Sequence, residues 1–268
     1  MSACPLCGAS STTDFGSGVV LGTRPVTYRR CERCGSVSLP SPDWLDEAYS
    51  SAINTLDVGL LERCVQLASV TTAVLTAERL RGGTFLDFAG GYGTLTRMMR
   101  DRGYDFRHVD PYCENLFAQG YDGDLDRRYD LVTAVEVLEH LADPVSELGP
   151  VAECTDLMLV TTQVLPVPAP APGTWDYFAE DTGQHITFST VAGLEALAGR
   201  LGMKVTTAGR LVHVFHRRPL RPATRALLRD DRLTYAVGAL RSEFARRRGL
   251  TVSDQRRALE RLRATPDA

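Results

Sequence analysis

A glycine-rich turn with an acid on each side is the part of the sequence that most clearly predicts chemistry. Asp87 ends a short apolar run, and the turn that follows contains Gly90, Gly91 and Gly93. Asp110 ends the next apolar run, where a carboxylate can accept hydrogen bonds from both hydroxyls of a ribose. Glycines let a backbone approach a ligand that any Cβ would keep away. The order of strand, turn, helix, strand and acid therefore predicts a nucleoside-binding site.

The spacing of the glycines separates two classes of nucleoside. A dinucleotide fingerprint reads G-x-G-x-x-G, and the segment from Gly91 to Thr96 lacks the third glycine. The segment from Asp87 to Gly93 instead fits the D-x-G-x-G-x-G pattern of S-adenosylmethionine (SAM) methyltransferases, with Ala89 in place of the first glycine. We therefore expect SAM rather than a dinucleotide as the cofactor.

Four of the seven cysteines form a second pattern. Cys4 and Cys7, and then Cys31 and Cys34, make two C-x-x-C-G turns. Paired turns of this kind indicate a tetrahedral Cys4 zinc ribbon, and a site closed by four thiolates is structural rather than catalytic. Disulfides are the alternative, which a chain with no signal peptide disfavours. The other cysteines have no partner spacing, and we expect them to be small packing residues: Cys64, Cys113 and Cys154.

Composition and charge fit a globular enzyme. The chain has 268 residues, 44% of them hydrophobic, and a formal net charge of -3, which gives no general reason to expect a nucleic-acid partner. The charge is uneven, because residues 217–268 contain 14 arginines and 6 acids. No secretory signal and no apolar run of about 18 residues occurs, so we expect a cytoplasmic protein without membrane contact.

The hydrophobic pattern predicts four regions. A zinc ribbon is expected at 1–40, a helical lid or linker at 41–82, an α/β core at 83–216 and an arginine-rich helical extension at 217–268. The ribbon should contain hairpin arms near 19–21 and 26–28, and the linker should start a helix at Ser41-Pro42-Asp43. Core strands are predicted at 84–88, 106–109, 131–135 and 157–162, closing strands within 204–215, and helices from Thr94, from Asp143-Pro144 and over 189–201.

Two further segments are predicted from composition. Residues 164–173 contain four prolines, which exclude a helix or a central strand and predict an extended loop, a frequent form of active-site lid. The apolar stripe of the arginine-rich extension is expected to consist of Leu227, Leu228, Leu233, Leu240, Phe244, Leu259 and Leu262.

The chain from Cys4 to Phe215 resembles a group of class I SAM-dependent methyltransferases that carry an N-terminal zinc ribbon. The blocks that carry the resemblance are 48–54, 86–93, 109–117, 129–132 with 136–140, and 183–188. The resemblance implies a doubly wound, Rossmann-like α/β sheet with the ribbon and helical additions. It also implies methyl transfer to a small-molecule acceptor, possibly a sugar or a natural-product intermediate.

The resemblance further assigns residues to the cofactor. Its expected contacts are Asp87, Ala89, Gly90, Gly91, Gly93, Asp110, Pro111, Glu136 and Tyr49. Asp87 and the glycines would hold the methionine and ribose end, Asp110 would hold the ribose hydroxyls, and the stretch 122–125 would lie near the adenine. Tyr49 and Asn54 fall in a helical segment that closes over SAM in related enzymes, with plain packing as the alternative.

A hydroxyl acceptor also needs a group that removes its proton. Histidine is the best candidate type, because its charge changes near neutral pH. His185 follows the proline loop and is the first candidate for a base, and His140 in the segment Glu136-Val-Leu-Glu-His is the second. His108, His213 and His216 are expected to be structural.

Other polar and aromatic residues have two interpretations each. Glu136 and Glu139 are three residues apart, so they are expected to shape the pocket floor rather than form an acid/base pair. Trp175 and Tyr177 follow the proline loop and either line the acceptor's pocket or anchor the loop.

Two alternative functions remain open at this stage. One is RNA methylation, which the ribbon and the arginine-rich extension would favour, although the ribbon has only four arginines and no aromatic platform. The other is a non-catalytic SAM-binding scaffold whose ribbon docks a partner. We expect a small-molecule acceptor instead, and these patterns specify neither its identity nor the oligomeric state.

Overall fold

The N-terminal segment forms the predicted hairpin with longer arms. The computed structural model describes residues 3–49, 58–244 and 249–264. Strands β1 (Thr12–Val20) and β2 (Arg24–Cys31) pair antiparallel, and the short β3 (Val37–Ser38) pairs with β2. One face of this hairpin buries Tyr28 and Val37, because alternate strand residues point to the same face.

The helix predicted to start at Ser41-Pro42-Asp43 begins later. Helix α1 (Leu45–Ala48) has Trp44 at its N-cap and no side-chain cap. The Trp44 indole is buried and donates a hydrogen bond to the carbonyl of Gly183 (2.8 Å), so this segment is fixed by packing rather than by a capping side chain. The expected continuous helical pattern includes residues 50–57 and with them Asn54, which lie outside the described residues. Helix α2 (Leu60–Ala77) follows them.

The core begins with the predicted strand and helix. Its further elements are β4 (Thr84–Phe88), α3 (Thr94–Asp101), β5 (Asp105–Val109), β6 (Leu131–Val135), α4 (Pro144–Glu153), β7 (Leu157–Thr161), β8 (Thr187–Phe188), α5 (Val191–Arg200), β9 (Lys204–Ala208) and β10 (Val212–His216). The predicted strands and helix starts are confirmed to within two residues. The carboxylate of Asp143 caps α4 by accepting the N–H of Ser146, and Pro144 occupies the first turn, where its missing N–H costs nothing.

Six strands form one sheet with the order β5-β4-β6-β7-β10-β9. The first four strands are parallel, and β10 pairs antiparallel with both β7 and β9. Residues of β6 and β7 are almost all buried, as expected for parallel strands covered on both faces. The chain passes from β4 to β5 on one side and to β6 on the other, which makes a topological switch point at their carboxyl ends. The expected doubly wound α/β fold is confirmed.

The ribbon is continuous with the core. Val37 of β3 pairs with Phe188 of β8, so a segment from beyond the proline loop completes a four-stranded sheet with the hairpin. Arg200 at the end of α5 donates to the carbonyls of Pro5 (3.0 Å) and Leu6 (3.2 Å). The cysteine turns therefore rest on a helix of the core, and the division at residue 40 stays a prediction.

The C-terminal extension is helical, but its expected apolar stripe is wrong in part. Helices α6 (Pro222–Leu227), α7 (Asp231–Phe244) and α8 (Thr251–Ala264) follow β10. Leu228 is buried, whereas four leucines of the stripe are exposed: Leu233, Leu240, Leu259 and Leu262. Helix α7 instead buries Thr234 and Gly238. A Cβ at Gly238 would lie 1.8 Å from the carbonyl oxygen of Ser69 in α2, so small residues permit this close helix packing. None of the described helices combines the length and apolar character needed to span a membrane.

Helix α8 is attached to the core by a buried ion pair. Asp254 lies 2.8 Å from Arg100 of α3 and 3.0 Å from Arg97. Arg100 is fully buried, and its guanidinium lies 3.5 Å from the ring centre of Tyr121. Burial alone would raise the pKa of Asp254, but hydrogen bonds from Arg100 and Arg97 hold it at about 2.

Asp254→Ala is expected to lower the free energy of unfolding by about 3 kcal/mol at neutral pH, because it leaves the buried Arg100 charge without this partner. The folded-state pKa lies below the unfolded value of about 3.9. The contribution of Asp254 is therefore complete above about pH 4 and is lost as the pH falls towards 2. Urea unfolding of wild type and variant over this range checks it, with Glu260→Ala on the exposed face of α8 as the control. Equal losses in the two variants would contradict the attachment.

Candidate functional site

The glycine-rich turn lies at the switch point of the sheet, between β4 and α3. Ala89, at the position of the missing glycine, has φ +52°, and its N–H donates to the carbonyl of Val109 (2.8 Å). Gly91 and Gly93 also have positive φ, which favours glycine at both positions. A Cβ at Gly91 would meet no atom within 4 Å, so this residue leaves open space above the turn.

Asp87 supports this turn from below. Its carboxylate is buried and accepts hydrogen bonds from the hydroxyls of Thr133 (2.7 Å) and Thr96 (3.1 Å). Burial raises the pKa of Asp87 to about 6, against the effect of these hydrogen bonds. A Cβ at Gly90 would lie 2.6 Å from the Asp87 carboxylate, so the acid and the glycine are in close contact.

Asp110 holds the turn from the end of β5. One carboxylate oxygen accepts the N–H of Gly91 (2.8 Å), and the other accepts those of Tyr112 (2.8 Å) and Cys113 (3.0 Å). His108 was expected to be structural, and its Nε2 lies 2.8 Å from the Gly91 carbonyl. The backbone of Gly91 is therefore held at its carbonyl by His108 and at its N–H by Asp110.

A cavity of about 600 Å³ opens above the turn. Six of the expected cofactor and pocket residues line it: Asp87, Ala89, Gly90, Gly91, Glu136 and Tyr49. His140 and His185 line it as well, whereas Gly93, Asp110 and Pro111 are outside its lining. The structure thus brings the glycine turn and both candidate bases to one cavity.

Other lining residues were missed in the sequence. Helix α2 contributes Leu60, Arg63, Cys64 and Leu67. Their three- and four-residue spacing marks one helix face, which faces the cavity. Cys64 and Cys113 are half-buried in this lining, while only Cys154 is a buried packing residue as expected. Gln163 and Gln184 line the cavity as well.

The segment after the proline loop forms one wall. Tyr177, Gln184 and His185 line the cavity, but none of residues 164–173 does. Trp175 packs with Phe178 and Phe188 in the core beneath the hairpin, so of the two candidate wall aromatics only Tyr177 takes that position.

The two histidines are adjacent and oriented by hydrogen bonds. Their ring centres lie 4.8 Å apart. His185 Nδ1 lies 2.7 Å from the carbonyl oxygen of Tyr177, and His140 Nδ1 lies 3.1 Å from that of Gln184 and 2.8 Å from the hydroxyl of Tyr49. A carbonyl only accepts hydrogen bonds, so each Nδ1 carries a proton and each Nε2 keeps its lone pair. Burial lowers the pKa of both rings, that of His140 to about 3.

Two glutamates lie beside the histidines. Glu136 follows β6 with φ +50°, and its N–H points to Thr161 of β7. Burial, and then the neighbouring Glu139, raise the pKa of Glu136 to about 8. Glu139 lies in a short 3-10 turn (Leu138–His140) and is fully buried. It is outside the cavity lining, so its place in the pocket floor stays a prediction.

The four predicted zinc ligands form a separate buried cluster. Their sulfur atoms all lie within 4.8 Å of one another, with 3.7 Å between Cys4 and Cys34 and 3.4 Å between Cys7 and Cys31. In each turn the glycine after the second cysteine has positive φ and donates its N–H to the carbonyl of the first cysteine (2.9 Å). Gly8 and Gly35 thus fold two equivalent turns that point four sulfurs at one centre.

Part of the chain, including residues that line this cavity, matches a known protein family. Residues 62–208 match a family model described as a methyltransferase domain. Solved structures with similar folds include a methyltransferase of calicheamicin biosynthesis with S-adenosylhomocysteine bound, at 18% identity, a TM-score of 0.40, and coverage of 57% of this chain and 54% of that chain. Another is human N-acetylserotonin methyltransferase in complex with SAM, at 16% identity, a TM-score of 0.47, and coverage of 67% and 60%.

A third similar structure is a mitomycin 7-O-methyltransferase, at 19% identity, a TM-score of 0.41, and coverage of 59% of this chain and 54% of that chain. The chain thus spans little more than half the length of these three structures. No curated protein sequence matches it. The family match itself includes the glycine turn, the cavity wall and both histidines.

Proposed function

The chain belongs to the methyltransferase family that its residues 62–208 match, and we propose that it transfers the methyl group of SAM to a hydroxyl of a small molecule such as a sugar or a natural-product intermediate. The supporting observation is that one cavity contains both the glycine turn and two histidines with unprotonated Nε2 atoms. Its volume of about 600 Å³ is in the range of small-molecule sites, roughly 300–1,000 Å³.

The residues around the turn fit the adenosyl part of the cofactor. Asp110 and Pro111 after β5 would lie at the ribose, and the carboxylate oxygens of Asp110 keep lone pairs beyond those used by three backbone amides. Gly91 leaves open space that the cofactor would fill, while Gly90 and Gly93 let the turn pack closely against Asp87 and Asn115, with Ala89 holding the start of the turn. Asp87 and Glu136 would face the amino-acid end, and Tyr49 would close the opposite side.

The chemistry divides between cofactor and chain. SAM, when bound, would supply an activated methyl group on a sulfonium sulfur. The S–C bond would break as the acceptor oxygen forms the new O–C bond, with S-adenosylhomocysteine as the leaving group. The cavity walls align the acceptor, and alignment alone contributes roughly 7–11 kcal/mol in favourable systems. His185, with His140 beside it, accepts the acceptor's proton at Nε2, while the Tyr177 carbonyl holds its ring in place.

The arginines of the ribbon support a small molecule over RNA. Arg24 lies within ion-pair distance of Asp43 and Glu47, and Arg29 forms an ion pair with Asp14. Two of the ribbon's four arginines are thus compensated within the chain, whereas RNA binding needs basic side chains directed at phosphates. We therefore assign the ribbon a structural role, with zinc held by Cys4, Cys7, Cys31 and Cys34. Four buried sulfurs directed at one centre fit the Cys4 coordination that structural zinc prefers.

Asp110→Ala is expected to weaken SAM binding at least tenfold while the chain stays folded. The variant removes the carboxylate proposed to accept the ribose hydroxyls and frees the N–H of Gly91. Calorimetric titration with SAM gives the affinity, and thermal unfolding checks the fold. Glu114→Ala removes an exposed acid from the same loop and serves as the control. An Asp110→Ala protein that binds SAM as tightly as wild type would overturn the ribose assignment.

A further inference from the structure

Among the described residues, a second group of metal-ligating atoms includes two histidines that line the cavity. One atom each from Glu139, His140 and His185 lies within 4.8 Å of the other two. This group is separate from the cysteine cluster, and its ligand atoms are nitrogen and oxygen rather than sulfur. A cation at about 2.1 Å from each atom needs ligands no more than about 4.2 Å apart, so small side-chain rotations would complete the site.

Glu139 is the residue that points to a ligand. Its side chain is fully buried, and neither carboxylate oxygen has a hydrogen-bond partner among the residues that the structure describes. The hydroxyls of Tyr177 and Thr162 lie 3.2 Å from each other, and Tyr177 also accepts the N–H of Gln163. Burying a carboxylate without a partner is costly. A bound cation would remove that cost.

The histidines have the arrangement found in metal sites. A metal-bound histidine normally donates its other ring N–H to a carbonyl or a carboxylate, which fixes the ring and leaves one nitrogen for the metal. His185 is fixed in this way by the carbonyl of Tyr177 and His140 by that of Gln184, with both Nε2 atoms left for a ligand. These hydrogen bonds come from outside the cluster, so the rings are oriented before any cation binds.

Glu136 adds a second carboxylate at the same place. It lines the cavity together with His140 and His185. The donor set of two imidazoles and one or two carboxylates suits a divalent cation of the first transition series.

We propose that Glu139, His140 and His185 bind a divalent cation, with Glu136 at its edge, and that this cation binds the acceptor hydroxyl. The inference rests on the proposed methyl transfer, and with the cation bound His185 and His140 are its ligands rather than the base. Three protein ligands leave open coordination positions facing the cavity for an acceptor oxygen. The bound hydroxyl loses its proton to water, and its lone pair is then free to form the O–C bond. The two histidines act on the acceptor through the cation in that state.

Titration of the zinc-loaded protein with Mn²⁺ tests the site. Thiolate ligands select zinc, so Mn²⁺ reports on the nitrogen and oxygen ligands alone. We expect one Mn²⁺ per chain by electron paramagnetic resonance of the unbound ion. Glu139→Gln and His185→Gln should each weaken binding at least tenfold, while Glu153→Gln, an exposed acid at the end of α4, should bind like wild type.

Each outcome decides the proposal. Wild-type protein that binds no Mn²⁺ at millimolar concentration would overturn it, as would unchanged affinity in both cluster variants. Glu139→Gln removes only a buried charge. If the Glu139→Gln protein does not fold, His185→Gln provides a second test. The readout does not depend on turnover. A protein that binds Mn²⁺ through these residues but transfers no methyl group would retain the cation site and lose the proposed function, and SAM turnover without Mn²⁺ binding would do the reverse.

Discussion

Cys7→Ser is expected to strip most of the zinc from the protein and to lower its free energy of unfolding by several kcal/mol, on the order of 5. Zinc binding to a structural site is coupled to folding, because the unfolded chain has no preformed set of four ligands. The loss should extend beyond the ribbon. The cysteine turns pack on α5, where Arg200 donates to the carbonyls of Pro5 and Leu6. A hydroxyl is a poor replacement for a thiolate, so the remaining three cysteines should hold zinc weakly.

Metal analysis and urea unfolding measure the two effects together. Cys113→Ser is the matched control, because Cys113 is half-buried and is outside the cysteine cluster. It should keep its zinc and most of its stability. A Cys7→Ser protein as stable as this control and free of zinc would refute the zinc ribbon.

His185→Ala is expected to reduce turnover by about 10²–10⁴, the range that a positioned acid or base contributes. SAM affinity should change less than twofold, because His185 lines the cavity but is not among the assigned cofactor contacts. The ring of His185 is fixed by the Tyr177 carbonyl and packs against Tyr177 at 4.6 Å between ring centres, so alanine also loosens this wall.

Steady-state kinetics with an identified acceptor, together with calorimetric titration of SAM, separate the two roles. His216→Gln is the control, since His216 ends β10 and bonds to Thr206 and the carbonyl of Arg218, away from the cavity. Equal losses of turnover and SAM affinity in His185→Ala would show that His185 binds cofactor rather than acting on the acceptor.

Local signals made much of the core predictable. The segment from Thr84 to Thr94 combines an apolar run, a glycine turn and a helix start, and the structure has the strand and the helix at those residues. Asp143-Pro144 predicted a helix start by capping, and the hydrogen bond from Ser146 N–H is present. The cysteine spacing predicted the cluster because each C-x-x-C-G turn is formed by a few neighbouring residues.

Features that depend on distant partners were not predictable. The pairing of Val37 with Phe188 joins two-residue strands, which carry no periodic pattern of their own. The packing of α7 relies on Gly238, a residue that a hydrophobic stripe ignores. Trp175 resembled a pocket aromatic by its position after the proline loop, but packing against Phe178 and Phe188 determines its place.

The site was predicted in its parts rather than as a whole. The pattern selected Asp87, Asp110 and the glycines, and it ranked His185 and His140 as the candidate bases. That both rings lie 4.8 Å apart, beside a fully buried Glu139, follows only from the tertiary fold. The cavity-lining residues of α2 were missed because apolar periodicity is the same whether a helix faces a core or a cavity.

Native mass spectrometry of untreated protein tests the central claim most directly, because zinc and an adenosyl ligand are detected in one spectrum. We expect a mass increment for zinc together with one for SAM or S-adenosylhomocysteine, and the latter would show turnover in the host. A spectrum with zinc but without an adenosyl ligand, even after SAM is added, would contradict the assignment of the glycine turn and with it the proposed methyl transfer.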